Sequence, residues 1–141
     1  LIAMRYFLGR AGVAFDERRL CCFQDNIVTL SASEFGYNAA ADILQRFPDT
    51  DAIYCVNDNI ALGAYKCLSE RGLRIPQDIS LCGCDDMLIS RYISPAISSM
   101  GYDKAEFGRL CMNNILEQLK GNTQQERKYI LYAEYRARSS V

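Results

Sequence analysis

Apolar and polar positions along the chain alternate between two rhythms. Residues 1–10 place Leu, Ile, Met, Phe and Leu at helix-like spacing and stop near Gly12, which predicts the end of a helix. The short apolar run at residues 20–23 fits a strand. Ser31-Ala-Ser-Glu34 has the form of a capping box, and Phe35, Ala39, Ile43 and Phe47 follow at intervals of four before Pro48, as one apolar face of an amphipathic helix. Residues 52–56 read as a buried strand, after which Asn57 or Asp58 can cap a helix with Ala61, Leu62, Tyr65 and Leu68 as its core face. Gly72 stands where a left-handed C-cap is wanted, and Pro76 marks the loop before a strand at residues 79–84. Two strand-helix-strand units joined by short loops predict a doubly wound α/β fold with a parallel sheet.

The strand at 79–84 is built of β-branched and small apolar residues, which suits burial on both faces, and it runs directly into Asp85 and Asp86. Carboxyl ends of strands are where open α/β sheets bind ligands, so the acidic pair is either a site or an ordinary turn device. Beyond it the periodicity weakens. Residues 96–100 fit another strand, and Asp103 opens a long helix with Phe107, Leu110, Cys111, Ile115 and Leu119 expected to face inward and Gly121 at its end. Residues 122–128 are polar and loop-like, and residues 129–136 form a last, less regular strand suited to an edge or a crossing between lobes.

With 141 residues, half of them hydrophobic, the chain can bury a core of one domain's size. The formal charge is -1, from 16 basic and 17 acidic residues with no long run of either sign, so no electrostatic footprint for nucleic acid or an anionic membrane is present. DNA, if it is a partner, must be bound by another segment. No apolar run approaches the roughly 20 residues of a bilayer span, and the N-terminus has neither an initiating Met nor the pattern of a signal peptide, so the chain is expected to begin within a longer protein. Seven cysteines without a CxxC pair, several of them within predicted strands or helical apolar faces, read as small hydrophobes in a reducing, cytoplasmic compartment, with no cofactor implied. Histidine is absent, which removes the usual general base and the commonest metal ligand.

The strand ending in VND, the helix ALGAYKCLSERGLRIP, the strand with DIS and LCGCDD, and the segment RYISPAISS occur in an order and spacing that resemble the effector-binding domain of the lactose/galactose repressor family (LacI/GalR type) of bacterial transcription regulators. Weaker echoes are LGRAGV, SASEFGYNAAADIL, EFGRL and AEYRARSS. The resemblance implies a periplasmic-binding-protein-like (type I) fold, mainly its second lobe. Residues 1–99 would form the C-terminal lobe, 100–131 a segment belonging to the N-terminal lobe, and 132–141 the return. A helix over about 102–120 would then expose the face that meets the rest of that lobe.

The same resemblance places an effector-bonding amide at Asn57 and an effector-bonding carboxylate at Asp85. Both types suit sugar hydroxyls, since a carboxylate offers two acceptor oxygens and an amide both donates and accepts. Ser31 falls near a position where relatives place an aromatic ring, Tyr102 where relatives often have Gln, and Phe107 either reaches the cleft or packs in the core. Asp58 and Asp86 read as caps and loop anchors. Ile60, Leu62, Tyr65 and Tyr92 are implied to form a homodimer interface. The expected function is sugar-linked regulation of operator binding by a separate helix-turn-helix head. The alternative is a periplasmic-type sugar-binding protein of a transport system. Enzymatic function is not expected, because no phosphate loop, nucleophile set, metal cluster or receiver-like set of Asp and Lys is present.

Overall fold

A computed structural model describes residues 2–22, 31–121 and 128–141. In chain order the elements are helix α1 (Ile2–Arg10), a single 3-10 turn (Glu17–Arg19), α2 (Ala32–Arg46), strand β1 (Ala52–Tyr54), α3 (Asp58–Glu70), β2 (Ser80–Cys84), the short α4 (Leu88–Tyr92), β3 (Ser98–Gly101), α5 (Lys104–Leu119) and β4 (Glu134–Arg136). The fold is α/β. The sheet runs β1-β2-β3-β4, parallel through β3, with β4 antiparallel at its end. Register pairs Ile53 with Leu81, Gly83 with Ser99, and Met100 with Tyr135.

Local chemistry sets the helix ends. The Ser31 hydroxyl accepts from the Glu34 amide at 3.2 Å and the Glu34 carboxylate accepts from the Ser31 amide at 2.8 Å, so the capping box is complete. At the far end of α3, Leu73 N–H reaches the Leu68 carbonyl and Gly72 N–H the Ser69 carbonyl, with Gly72 at φ 71°. That is a Schellman closure, in which glycine takes the left-handed position without a Cβ penalty. The two helices then meet backbone to backbone: a Cβ on Gly36 would land on the Ile60 carbonyl, and one on Gly63 on the Ser33 carbonyl. They run in the same direction, since Tyr37 bonds Glu70 and Arg71 reaches the Ala41 carbonyl further along.

The core forms where α2 and α3 close over one sheet face, and it contains Phe35, Ala40, Ile60, Ala64 and Leu68 with Ile53 and Leu81. Burial on both faces was expected of the strands. Instead β1 buries only Ile53, and β2 buries Leu81 and Gly83 while Cys82 and Cys84 remain partly exposed. Helices α2 and α3 stand over the face that carries Ile53 and Leu81, whereas on the opposite face Ser98 is buried where the C-terminal tail bonds it.

Four further expectations are corrected. Residues 20–22 are irregular, with Cys21 resting against α2, and Phe23 lies outside the described residues. A strand needs a ladder partner for its backbone groups, and none pairs there among the described residues. On α3 the buried face is Ile60, Ala61, Gly63, Ala64, Cys67 and Leu68, one step round from the expected stripe, leaving Leu62 and Tyr65 half-buried. The apolar stripe of α5 does not face inward, for no residue of that helix is buried and Phe107, Ile115 and Leu119 are exposed. The strand expected at 129–136 is confined to Glu134–Arg136, and the expected loop lies outside the described residues except for Lys128.

The C-terminal tail locks the sheet. Ser140 is fully buried; its hydroxyl donates to the Leu81 carbonyl at 2.5 Å and accepts from Ser98 N–H at 2.8 Å, while its carbonyl accepts from Leu81 N–H. Buried hydroxyls are thus fully used at the strand starts, as burial demands.

Candidate functional site

Because β1, β2 and β3 are parallel neighbours, their carboxyl ends share one edge, and each is followed by a candidate residue: Asn57 after β1, Asp85 after β2, Tyr102 after β3. The ladder extends to that edge through Cys55 N–H to the Cys82 carbonyl at 2.8 Å and Asp85 N–H to the Met100 carbonyl at 2.7 Å. Asn57 caps α3, its Oδ1 accepting from Ile60 N–H at 2.9 Å, so its NH2 group is the part left to offer a ligand. Ser31 caps α2, which runs alongside α3; its hydroxyl oxygen accepts in the capping box, which leaves its O–H free to donate. The Tyr102 ring meets Phe107 edge-on, with centroids 5.7 Å apart, and both line an open apolar groove of about 350 Å³ with Leu110, Cys111, Tyr129 and Leu131. Phe107 is 48% exposed, so it is not a core residue of this chain.

The acidic pair occupies a sharp turn. Asp85 has φ 97° and Asp86 φ 47°, both in the left-handed half of backbone space. Asp tolerates the second value readily, but 97° lies outside the ordinary left-handed well and is strained for any residue with a Cβ. The two side chains have opposite fates. Asp85 is half-buried, and among the described residues its carboxylate makes no hydrogen bond or ion pair. Asp86 is held from three directions: its carboxylate accepts from Arg91 at 2.7 Å and from Arg138 in a short contact, and its backbone carbonyl accepts from Lys104 Nζ at 3.1 Å. Burial opposes ionisation of Asp86, yet the Arg138 and Arg91 bonds outweigh it and hold its carboxyl below the ordinary Asp value.

Beneath the turn lies Asp58, fully buried at the start of α3. Its Oδ2 accepts from Met87 N–H at 2.6 Å and from the Ser90 hydroxyl at 2.8 Å, and its Oδ1 accepts from the Ser99 hydroxyl at 2.7 Å. The Ser99 hydroxyl in turn accepts from Asp86 N–H at 3.0 Å. Gly83 makes the room, because a Cβ there would fall on the Asp58 carboxylate. Reading the sequence identified Asp58 and Asp86 as anchors but missed their partners Ser90, Ser99, Arg91, Lys104 and Arg138. The available signal was local: a glycine in the strand ahead of the acidic pair marks a close approach by something polar.

Of the implied dimer residues, Tyr92 is 77% exposed and Leu62 half-buried. The Tyr65 hydroxyl donates to the Ser94 carbonyl at 2.5 Å. Ile60 is 6% exposed and packs in the core, so it has no surface to offer a second chain. Among the described residues no three His, Cys, Asp or Glu side chains cluster to hold a metal, and no helix is long and apolar enough to cross a membrane.

Residues 8–141 match the family of periplasmic binding protein-like domains. The ribose operon repressor of Haemophilus influenzae is 35% identical over 108 residues, covering 77% of this chain and 32% of the repressor. The transcriptional repressor PurR of Vibrio atlanticus is 33% identical over 103 residues, covering 73% of this chain and 31% of that protein. Among solved structures, the transcriptional regulator CelR in complex with cellobiose superposes with a TM-score of 0.83 at 27% identity, over 97% of this chain and 40% of that one. The chain therefore spans about a third of the length of the curated relatives it matches.

Proposed function

The chain belongs to the family of periplasmic binding protein-like domains, and from that membership we propose that it is the effector-binding part of a DNA-binding transcriptional regulator of the LacI type. Its ligand is a sugar or sugar derivative held at the carboxyl edge of the sheet. The observation that carries this reading is the Asp85 carboxylate, free of protein partners among the described residues, between Asn57 and Tyr102 at adjacent strand ends. A carboxylate accepts from neighbouring hydroxyls, the Asn57 amide donates, and an aromatic ring covers the apolar face of a pyranose or furanose. In this reading Phe107, which shares a groove with Tyr102, and Ser31 at the start of α2 would border the same cleft.

In this proposal residues 1–99 and 132–141 are the C-terminal lobe, and residues 100–131 belong to a second lobe completed by sequence outside this chain. Support comes from α5, whose apolar residues lie exposed as they would on a helix meant for another lobe. The DNA-binding head is also outside, the protein acts in the cytoplasm as a homodimer, and Leu62, Tyr65 and Tyr92 remain the interface residues. It is no enzyme: ligand binding biases the angle between lobes, and the effect on DNA is limited by the ligand's differential affinity for the two arrangements. The relatives carry repressor names, which favours regulation over transport.

The test is a thermal-shift titration of the full-length protein with ribose and cellobiose, repeated with Asp85→Ala. A sugar at a hundredfold excess over its Kd adds about 2.7 kcal/mol of stability. Stabilisation of the parent that Asp85→Ala abolishes is the expected result. Equal stabilisation of both proteins, or none of either, overturns the assignment.

A further inference from the structure

Asp58 is a fully buried carboxylate that the proposed ligand contacts do not use. It also does more than cap a helix, since Asn57 already does that. Every hydrogen bond of its carboxylate leads to the turn that carries Asp85 or to the elements that flank it. One oxygen holds the backbone of Met87 and the hydroxyl of Ser90; the other orients the Ser99 hydroxyl, which takes the Asp86 amide. On the other side, Asp85 N–H is tied to the Met100 carbonyl. The residue at φ 97° is therefore fixed at its own amide and at the next two along the chain.

A strained backbone persists only where its surroundings over-determine it. Strand β3 supplies Ser99, strand β2 supplies the space at Gly83, and α3 supplies the charge. We infer that Asp58 and Ser99 are positioning residues, which hold the Asp85 carboxylate out to the ligand by pinning the turn after β2 in its strained form. The inference rests on the proposed role of Asp85, but it is read from a different quantity.

The first experiment needs no ligand. Urea unfolding of the chain is compared for Asp85→Gly, Ser99→Ala and the double variant. Glycine at 85 releases the strain, raising the folded-to-unfolded ratio about fivefold in the parent. With Ser99→Ala the turn can relax, so the same glycine changes the ratio less than about twofold. Coupling of that sign supports the pin. Additive effects overturn it, whatever any sugar does. The second experiment uses the full-length protein with whichever of ribose and cellobiose binds it. Ser99→Ala weakens binding about tenfold in the parent and leaves the residual affinity of Asp85→Ala unchanged, as expected of a residue acting through Asp85. A tenfold loss in both backgrounds overturns the positioning role. Failure of both sugars to bind bears on the proposed function alone, because the unfolding cycle still decides the pin.

Discussion

Replacing Asp58 tests how much of the edge depends on one buried charge. The carboxylate is fully buried and takes three donors, at 2.6, 2.7 and 2.8 Å. Hydrogen bonds to a charged group contribute about 1.5–3 kcal/mol each, and an orphaned buried donor costs about 1–3 kcal/mol. In Asp58→Ala the two serine hydroxyls can turn elsewhere, but the Met87 amide cannot. Three charge-assisted bonds are lost and one buried donor is orphaned, against the relieved desolvation of the carboxylate, so the expected net cost is about 3 kcal/mol. Asp58→Asn is the informative companion. It keeps the volume, turns Oδ1 towards Met87 and Ser90, and offers its NH2 to Ser99, whose oxygen can accept. What it loses is the charge assistance, about 1 kcal/mol on each of two bonds, so about 2 kcal/mol in all. Urea unfolding followed by far-ultraviolet circular dichroism measures both, with an unchanged slope confirming that the same surface is exposed. Since a domain's whole stability is about 5–15 kcal/mol, the alanine variant should be visibly crippled and the asparagine variant intermediate. An alanine variant within about 1 kcal/mol of the parent would refute the network as an energetic unit.

Other consequences are simpler to state. Gly63→Ala places a methyl on the Ser33 carbonyl, a backbone atom that cannot give way; the expected loss of about 2–3 kcal/mol outweighs the roughly 1 kcal/mol gain in helix propensity, and a neutral result in urea would show that α2 and α3 are further apart. Asp86 has its carboxyl held below the ordinary Asp value, so its contribution is fully present above the unfolded pKa of about 3.9 and is lost as pH falls through the lower folded value. Stability measured from pH 5 downward should therefore fall more steeply in the parent than in Asp86→Asn. Burial pushes the Cys55 thiol up to about 12 and also raises Cys67, whereas Cys22 and Cys111 are exposed; a disulfide dye at pH 8 should label the exposed pair first and reach Cys55 and Cys67 only on unfolding.

What the sequence made legible was whatever is decided within one turn of helix. The capping box at Ser31, the cap at Asn57 and the left-handed close at Gly72 all have partners within five residues, and each formed as read. The error on α5 is of a different kind. Periodicity establishes that Phe107, Ile115 and Leu119 share a face, but says nothing about what covers it, and among the described residues that face is left exposed. The strand at 20–23 failed for a related reason, because a ladder partner is a non-local fact. Strand ends were well placed, so the edge carrying Asn57, Asp85 and Tyr102 followed as soon as the parallel order was known. Ser99 could not be found that way. Its role needs the register that sets Gly83 beside it and the depth at which Asp58 lies, neither of which a single segment encodes.

The choice of aspartate at 85 is then an energetic question. Glycine would adopt φ 97° without strain, whereas a residue with a Cβ costs about 1–3 kcal/mol there. Nothing within the described fold repays that cost, since the Asp85 side chain bonds no protein group. A hydroxyl donating to a carboxylate returns about 1.5–3 kcal/mol, so two such bonds from adjacent hydroxyls exceed the strain, while one roughly balances it. Glycine at 85 would thus favour the fold, and under the proposed function aspartate would favour binding. A carboxylate at this position is consistent with a ligand that presents a pair of hydroxyls rather than a single donor. That makes the pairing of donors, more than their number, the quantity to vary when ligands are compared: an analogue with one of two neighbouring hydroxyls removed should lose about tenfold in affinity against the parent protein and nothing against Asp85→Ala.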